Sequence, residues 1–186
     1  MVLLALSLSS ASAMEVRDRW DPEHPIALGS RAALWQADYR APGVGGQLHY
    51  QPWQRLGVEG FWNSFALPEA GLLRHDHVIG FHLYSPWLGG ARRWVGPTFG
   101  SCVDFRFLSP LGTDEALPGQ SDILFGVHTG LMGMAYLFGG WSLQTTVEVF
   151  GYWGNQAKVD GWAATASNQL HFQPVLQGSV GLNHWF

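Results

Sequence analysis

From about residue 29 to the C-terminus, apolar and polar positions alternate with a period of two. The alternating segments are roughly ten residues long and are separated by turn-like stretches, as transmembrane β-strands are. Helical spacing is poor throughout, and glycines fall inside the apolar segments, where a helix would be weakened. Strands are predicted over 29–40, 45–51, 56–66, 75–85, 93–105, 122–137, 142–154 and 173–186. An even number of antiparallel strands lets a sheet close with both chain ends on one side. In the third segment Leu56, Val58, Gly60 and Trp62 share one face, and Gly57, Glu59, Phe61 and Asn63 the other. In the seventh, Leu143, Thr145, Val147 and Val149 oppose Gln144, Thr146, Glu148 and Phe150. The last sets Leu176, Val180 and Leu182 against Gln177, Ser179, Gly181 and Asn183. The expectation is an all-β, eight-stranded, antiparallel up-and-down transmembrane barrel over 29–186, apolar outside and partly polar within.

The predicted connections support that count. Stretches 53–55, 86–92 and 138–141 are short, while 106–121 and 155–172, on the alternate side, are longer. A tight first loop is expected at 41–44, and Gly139-Gly140 suits the positive φ angles of a hairpin turn. Residues 1–13 contain the apolar run VLLALSL and the small-x-small site Ala11-Ser12-Ala13, and read as the end of a signal peptide cleaved before Met14. Its basic n-region is missing, so the start is expected a few residues upstream or at Met14 itself. Residues 14–28, with two prolines and much local charge, read as a periplasmic lead-in.

Composition sharpens the picture. Charged residues are 13% and aromatics 14% of the 186 residues, against about 25% charged in an ordinary soluble domain. Trp53, Trp87, Trp94, Trp141, Trp153 and Trp185 lie near strand ends, as an interfacial aromatic belt requires. The net charge of −4 and the lack of a basic run argue against nucleic-acid binding. Cys102 stands alone, so no intrachain disulfide can form.

With VLLALSLSSASA at the start, eight alternating segments and SVGLNHWF at the end, the chain resembles the small eight-stranded outer-membrane β-barrel proteins of Gram-negative bacteria. The resemblance implies residence in that membrane, contact with its lipids, and an assembly signal read by the outer-membrane assembly machinery. Phe186, Leu182 and Val180 match that signal, whereas His184 stands where an apolar or aromatic residue is usual. A monomer is expected, with no nucleic-acid partner and an unspecified loop partner.

Bulky inward residues (Phe61, Tyr84, Trp94, Met132, Met134, Tyr136, Phe150, Trp185) leave no continuous lumen of small side chains. Among them the hairpin registers predict a polar ladder, Asp38–His49–Glu59–His82, with His128 and Glu148 also inward. The expected role is structural, each polar group satisfying another in a closed interior. The functional alternative makes a histidine a general base or metal ligand oriented by Glu59. Lipid A deacylases, also eight-stranded barrels, use His-x-Ser with a glutamate on the lipid-facing surface. Here His128-Thr129-Gly130 lacks the serine, and His82 and Ser85 are wrongly spaced. His75 and His77 share a face predicted to lie in the outer interface, and two ligands make a weak metal motif. No catalytic residue, cofactor-binding residue or metal site is assigned, and no cofactor is expected. The expected function is a non-enzymatic barrel that supports envelope structure or presents loops. The alternatives are a membrane-embedded enzyme acting on lipid A or phospholipid, and a narrow pore for small solutes.

Overall fold

The structure, a computed structural model, describes residues 23–36, 40–69, 72–90, 92–110, 120–155 and 170–186. Eight long strands form one antiparallel ring: β1 (Ile26–Gln36), β2 (Arg40–Trp53), β3 (Leu56–Glu69), β4 (Leu72–Tyr84), β6 (Arg93–Pro110), β7 (Gln120–Tyr136), β8 (Trp141–Asn155) and β9 (Leu170–Trp185). Each pairs with its neighbour in sequence, β4 with β6, and β1 closes the ring on β9 from Ala27↔Trp185 to Gln36↔Leu176. Closure pairs both edges, which is how a sheet avoids unpaired backbone groups in lipid. The start of β1 and the end of β9 lie at the end of the barrel that carries the turns 54–55 and 137–140. This is the turn end; the opposite one is the loop end. At 137–140 Gly139 and Gly140 take φ of 57° and 80°, and Trp141 N–H closes the turn on the Phe138 carbonyl at 3.1 Å.

A short strand, β5 (Leu88–Gly90), pairs with the start of β6 and lies within 86–92, which the sequence reading treats as a connection. It prolongs β4 past an irregularity. Between the pairs Tyr84↔Thr98 and Leu88↔Val95 stand three residues on one strand and two on the other. Pro97 has no N–H to give the ladder, and such an interruption accommodates it. The expected loop at 41–44 is also corrected, since these residues pair within β2 (Ala41↔Trp35 to Val44↔Ala32). Pro42, Gly43, Gly45 and Gly46 imitate a turn in sequence, but the inward Phe65 ring lies where a Gly43 side chain would be. The first strand likewise starts earlier than expected, at Ile26 instead of Gly29.

The barrel is inside-out relative to a water-soluble protein. Phe99, Phe125 and Val147 are 64%, 64% and 59% exposed, whereas Glu59, Asp76, Asp104 and Glu148 are 0% exposed. Keeping a large apolar side chain in water forfeits roughly 1.5–3 kcal/mol relative to burial, so this outer face requires an apolar medium. Trp53, Trp87, Trp141 and Trp153 face outward. Trp94 and Trp185 do not join that belt, because strand parity turns both inward, where they are 1% and 4% exposed.

Candidate functional site: the barrel interior

Two apolar plugs and the polar groups between them fill the interior. At the turn end Tyr84 stacks on Trp94 (5.5 Å between ring centroids), with Met132, Met134, Tyr136 and Trp185 beside them. Trp185 Nε1–H donates to Ser142 Oγ at 2.9 Å. Toward the loop end Trp35 meets Phe65 edge-on at 5.0 Å and stacks on Tyr152 at 5.5 Å, packed with Leu67, Val78, Leu124 and Val175. Phe61 and Phe150 belong to this second plug and border the polar groups.

The polar belt is built around two glutamates. Glu59 on β3 sits in register with His49 of β2 and His82 of β4. Its Oε1 accepts from Arg31 Nη1 at 2.8 Å and its Oε2 from Gln144 Nε2 at 2.7 Å, both donors reaching across the lumen. His82 Nε2 and His49 Nε2 lie 3.3 and 3.5 Å from the same Oε2. Arg31 also donates to Ser179 Oγ at 2.8 Å and sits over the Phe61 ring, 4.9 Å from its centroid. Glu148 on β8 accepts at Oε1 from Thr98 Oγ1 at 3.0 Å and pairs there with His128 Nδ1 at 3.2 Å. His82 Nδ1 is 3.0 Å from that same oxygen. A side branch links Gln47, Gln144 and Asn183 by bonds of 2.6–3.2 Å.

Nearer the loop end is a separate quartet. Arg74 binds Asp76 through both Nε and Nη2, Arg106 Nε lies 3.3 Å from Asp76 Oδ1, and Arg106 Nη2 is 3.1 Å from Asp104. All four side chains are buried.

Of the residues singled out from sequence, His49, Glu59, His82, His128 and Glu148 therefore come together in one enclosed belt. Asp38 lies outside the described residues, and the β1 position opposite His49 is Ala27. On β1 the odd-numbered residues Arg31, Ala33 and Trp35 point inward, so the assumed face of strand one is corrected. Arg31 supplies what the ladder lacked, a fixed cation on Glu59. The inward parity of this unbroken strand was its signal, hidden by placing the first turn at 41–44, which turned the even-numbered residues inward. Phe186, Leu182 and Val180 are outward and exposed, and Phe186 N–H bonds the Ile26 carbonyl at 2.8 Å. His77 also faces outward, stacked on Trp62 (6.4 Å) and edge-on to Phe107 (5.8 Å). His82 and His128 are both buried inside, out of reach of a lipid ester.

These features define an eight-stranded barrel of the outer-membrane type, with a packed and partly ionic interior. No family model matches the chain, and no curated protein matches it. Solved structures match in fold. The major outer membrane protein of Thermus thermophilus superimposes with a TM-score of 0.55 at 12% identity, over 88% of this chain and 100% of that one. The N-terminal β-barrel domain of Pseudomonas aeruginosa OprF gives 0.53 at 9% identity, over 88% and 99%. Ail, the attachment invasion locus protein of Yersinia pestis, gives 0.51 at 10%, over 88% and 97%.

Proposed function

We propose that this is a non-enzymatic barrel of the Gram-negative outer membrane, which supports envelope structure or presents the connections 111–119 and 156–169 at the cell surface. In this reading residues 1–13 are the export signal and Phe186, Leu182 and Val180 form the assembly signal. The partners are membrane lipids and the outer-membrane assembly machinery, the loop partner is unspecified, and the barrel acts as a monomer. The observation that carries the proposal is the interior, in which two apolar plugs enclose a polar belt whose glutamates are 0% exposed. A pore needs a continuous wetted passage, and Trp94, Met132, Met134 and Trp185 stand across its turn end. An enzyme acting on lipid needs its reactive groups on the outer face, while His82, His128, Glu59 and Glu148 are enclosed.

Reconstitution in planar bilayers tests this. The expected result is no stepwise conductance above the lipid baseline, with fractionation placing the protein in the outer membrane. Steady unitary conductance would favour the narrow pore. Release of fatty acid from lipid A or phospholipid by the pure protein would favour the enzyme.

A further inference from the structure

We infer that His82, His128 and Glu148 form a buried binding site for a single first-row divalent cation of the zinc type. Their ligand atoms all lie within 4.8 Å of one another, and each comes from a different strand, β4, β7 and β8. His82 Nδ1 and His128 Nδ1 approach one oxygen, Glu148 Oε1, at 3.0 and 3.2 Å. Ligands bound at about 2.0–2.2 Å in a tetrahedral shell stand about 3.3–3.6 Å apart, so an outward shift of a few tenths of an ångström fits both nitrogens and the oxygen to a shared ion.

Thr98 Oγ1 and His128 Nδ1 both bond Glu148 Oε1, but hydrogen bonding leaves the rest of this group unsatisfied. Despite its short approach, His82 Nδ1 makes no aligned hydrogen bond, and neither does Nε2 of the same ring. Glu148 Oε2 and His128 Nε2 are buried without a partner as well. A ring nitrogen close to an oxygen but aimed beside it is what a common ion would produce, because the nitrogen then points at the ion. Buried polar groups are rarely orphaned, and a bound ion is one recognised partner for them.

The surrounding chain clears the space. His82 and His128 both pair in register with Gly100 of β6, so no side chain stands between the two rings. A Cβ on Gly100 would lie 2.0 Å from the Phe81 carbonyl oxygen and 2.6 Å from His82 Cβ. Gly130, opposite Glu148, is as confined: a Cβ there would lie 2.6 Å from Glu148 Cα. Outer contacts hold the ligands in place. Glu59 Oε2 is 3.3 Å from His82 Nε2, the position of the carboxylate that orients many metal-binding histidines, and His128 is stacked on Phe150 at 4.5 Å. Thr98 Oγ1 donates to the same Glu148 Oε1 at 3.0 Å and so helps to fix the carboxylate. Two imidazoles and one carboxylate suit Zn²⁺ or Co²⁺ better than Ca²⁺ or Mg²⁺, which take oxygen ligands. Since the belt is closed at both ends, the ion enters during folding and joins β4, β7 and β8 across the lumen.

The test uses the full chain without a histidine tag, refolded in detergent with one equivalent of Co²⁺ or Zn²⁺ and then desalted. The expected result is one metal per barrel retained, with visible ligand-field bands for Co²⁺ and X-ray absorption showing two imidazoles and one carboxylate. Glu148→Gln and His128→Gln, scored only when heat-modifiable and therefore folded, are expected to abolish retention. Glu59→Gln is expected to weaken it by roughly 10–100-fold. His75→Gln/His77→Gln on the outer face is expected to leave it unchanged. Wild-type barrel refolded with less than a tenth of an equivalent of bound metal would overturn the inference, as would binding lost in the outer-face variant and kept in His128→Gln. The wild-type measurement decides the matter even if every interior variant fails to fold.

Discussion

The interior holds two ionic clusters built on opposite principles. The quartet of Arg74, Asp76, Asp104 and Arg106 is local. Each Arg–Asp pair is two residues apart on one strand, and Asp76 faces Arg106 in the β4–β6 register. It contains two cations and two anions, and it forms as soon as one hairpin pairs. The belt around Glu59 and Glu148 instead draws Arg31 from β1, Glu59 from β3, His82 from β4, Thr98 from β6, His128 from β7, Glu148 from β8 and Ser179 from β9. It exists only when the ring is closed. The lesson is that burial alone does not rank the clusters: both are inaccessible, but only the belt is bound to closure. The quartet also sits near a rim, so its long guanidinium groups can swing toward water if a partner is lost. The belt lies between plugs and its groups have no such exit.

The largest expected effect is at Glu59. Glu59→Ala leaves Arg31 without its carboxylate in a sealed site and is expected to cost about 3–5 kcal/mol in denaturant unfolding in detergent. Glu59→Gln keeps the shape and one acceptor and is expected to cost less. Equal stability of wild type, Glu59→Gln and Glu59→Ala would remove the belt from the account. Next comes Asp76→Ala, expected to cost about 1–3 kcal/mol because Arg74 and Arg106 can reorient toward the rim. The two clusters are also expected to act independently. Asp76 and Glu59's partner His82 are six residues apart on β4, about 20 Å along a strand. Glu59→Gln and Asp76→Asn should therefore add to within about 0.5 kcal/mol, and a larger coupling would show that the clusters are one.

A different kind of effect is expected at the C-terminus. Deleting Phe186 removes an outward ring and the N–H bond to Ile26 that fastens β9 to β1 at the closing seam. It should lower the yield of folded, heat-modifiable protein in cells far more than replacing Lys158, and equal yields would refute an assembly role. The smallest effect is at His77, whose ring lies between Trp62 and Phe107 on the outer face. His77→Phe should change stability by no more than about 0.5 kcal/mol.

The strand pattern was legible because alternation has a physical cause: one face meets lipid and the other a packed interior. The same parity put Glu59, Glu148, His49, His82 and His128 inside, where they are buried, and a three-residue turn at 53–55 was expected to set Glu59 against His49, the register that the irregularity between Tyr50 and Trp53 produces above the 54–55 turn. Four features stayed hidden. Turn-forming residues do not always turn, so 41–44 was read as a loop and Pro86 as the start of a connection, although one lies in a strand and the other in a strand irregularity. Placing the first turn at 41–44 set Asp38 beside His49, turned the even-numbered residues of strand one inward and so obscured Arg31. The quartet was missed because Arg106 fell beyond the expected end of its strand, and Arg74 before the start of its own, so neither was assigned a face. Contacts across the lumen, such as Arg31 with Glu59 and Gln144 with Glu59, depend on which strands end up opposite one another in the closed ring, which alternation alone does not encode.

The division between a cluster that holds closure and one that holds a hairpin can be read most directly by amide hydrogen exchange in detergent micelles, comparing Glu59→Ala with Asp76→Ala. Arg31 binds Glu59 and Ser179, so its strand is fastened through the belt to β3 and β9. The account predicts that Glu59→Ala accelerates exchange along the β1–β9 seam, Ala27–Gln36 against Leu176–Trp185, while the β4–β6 ladder stays protected. Asp76→Ala should do the reverse, loosening β4–β6 near Arg74 and Arg106 and sparing the seam. Identical exchange maps for the two variants, or a seam untouched by Glu59→Ala, would contradict it.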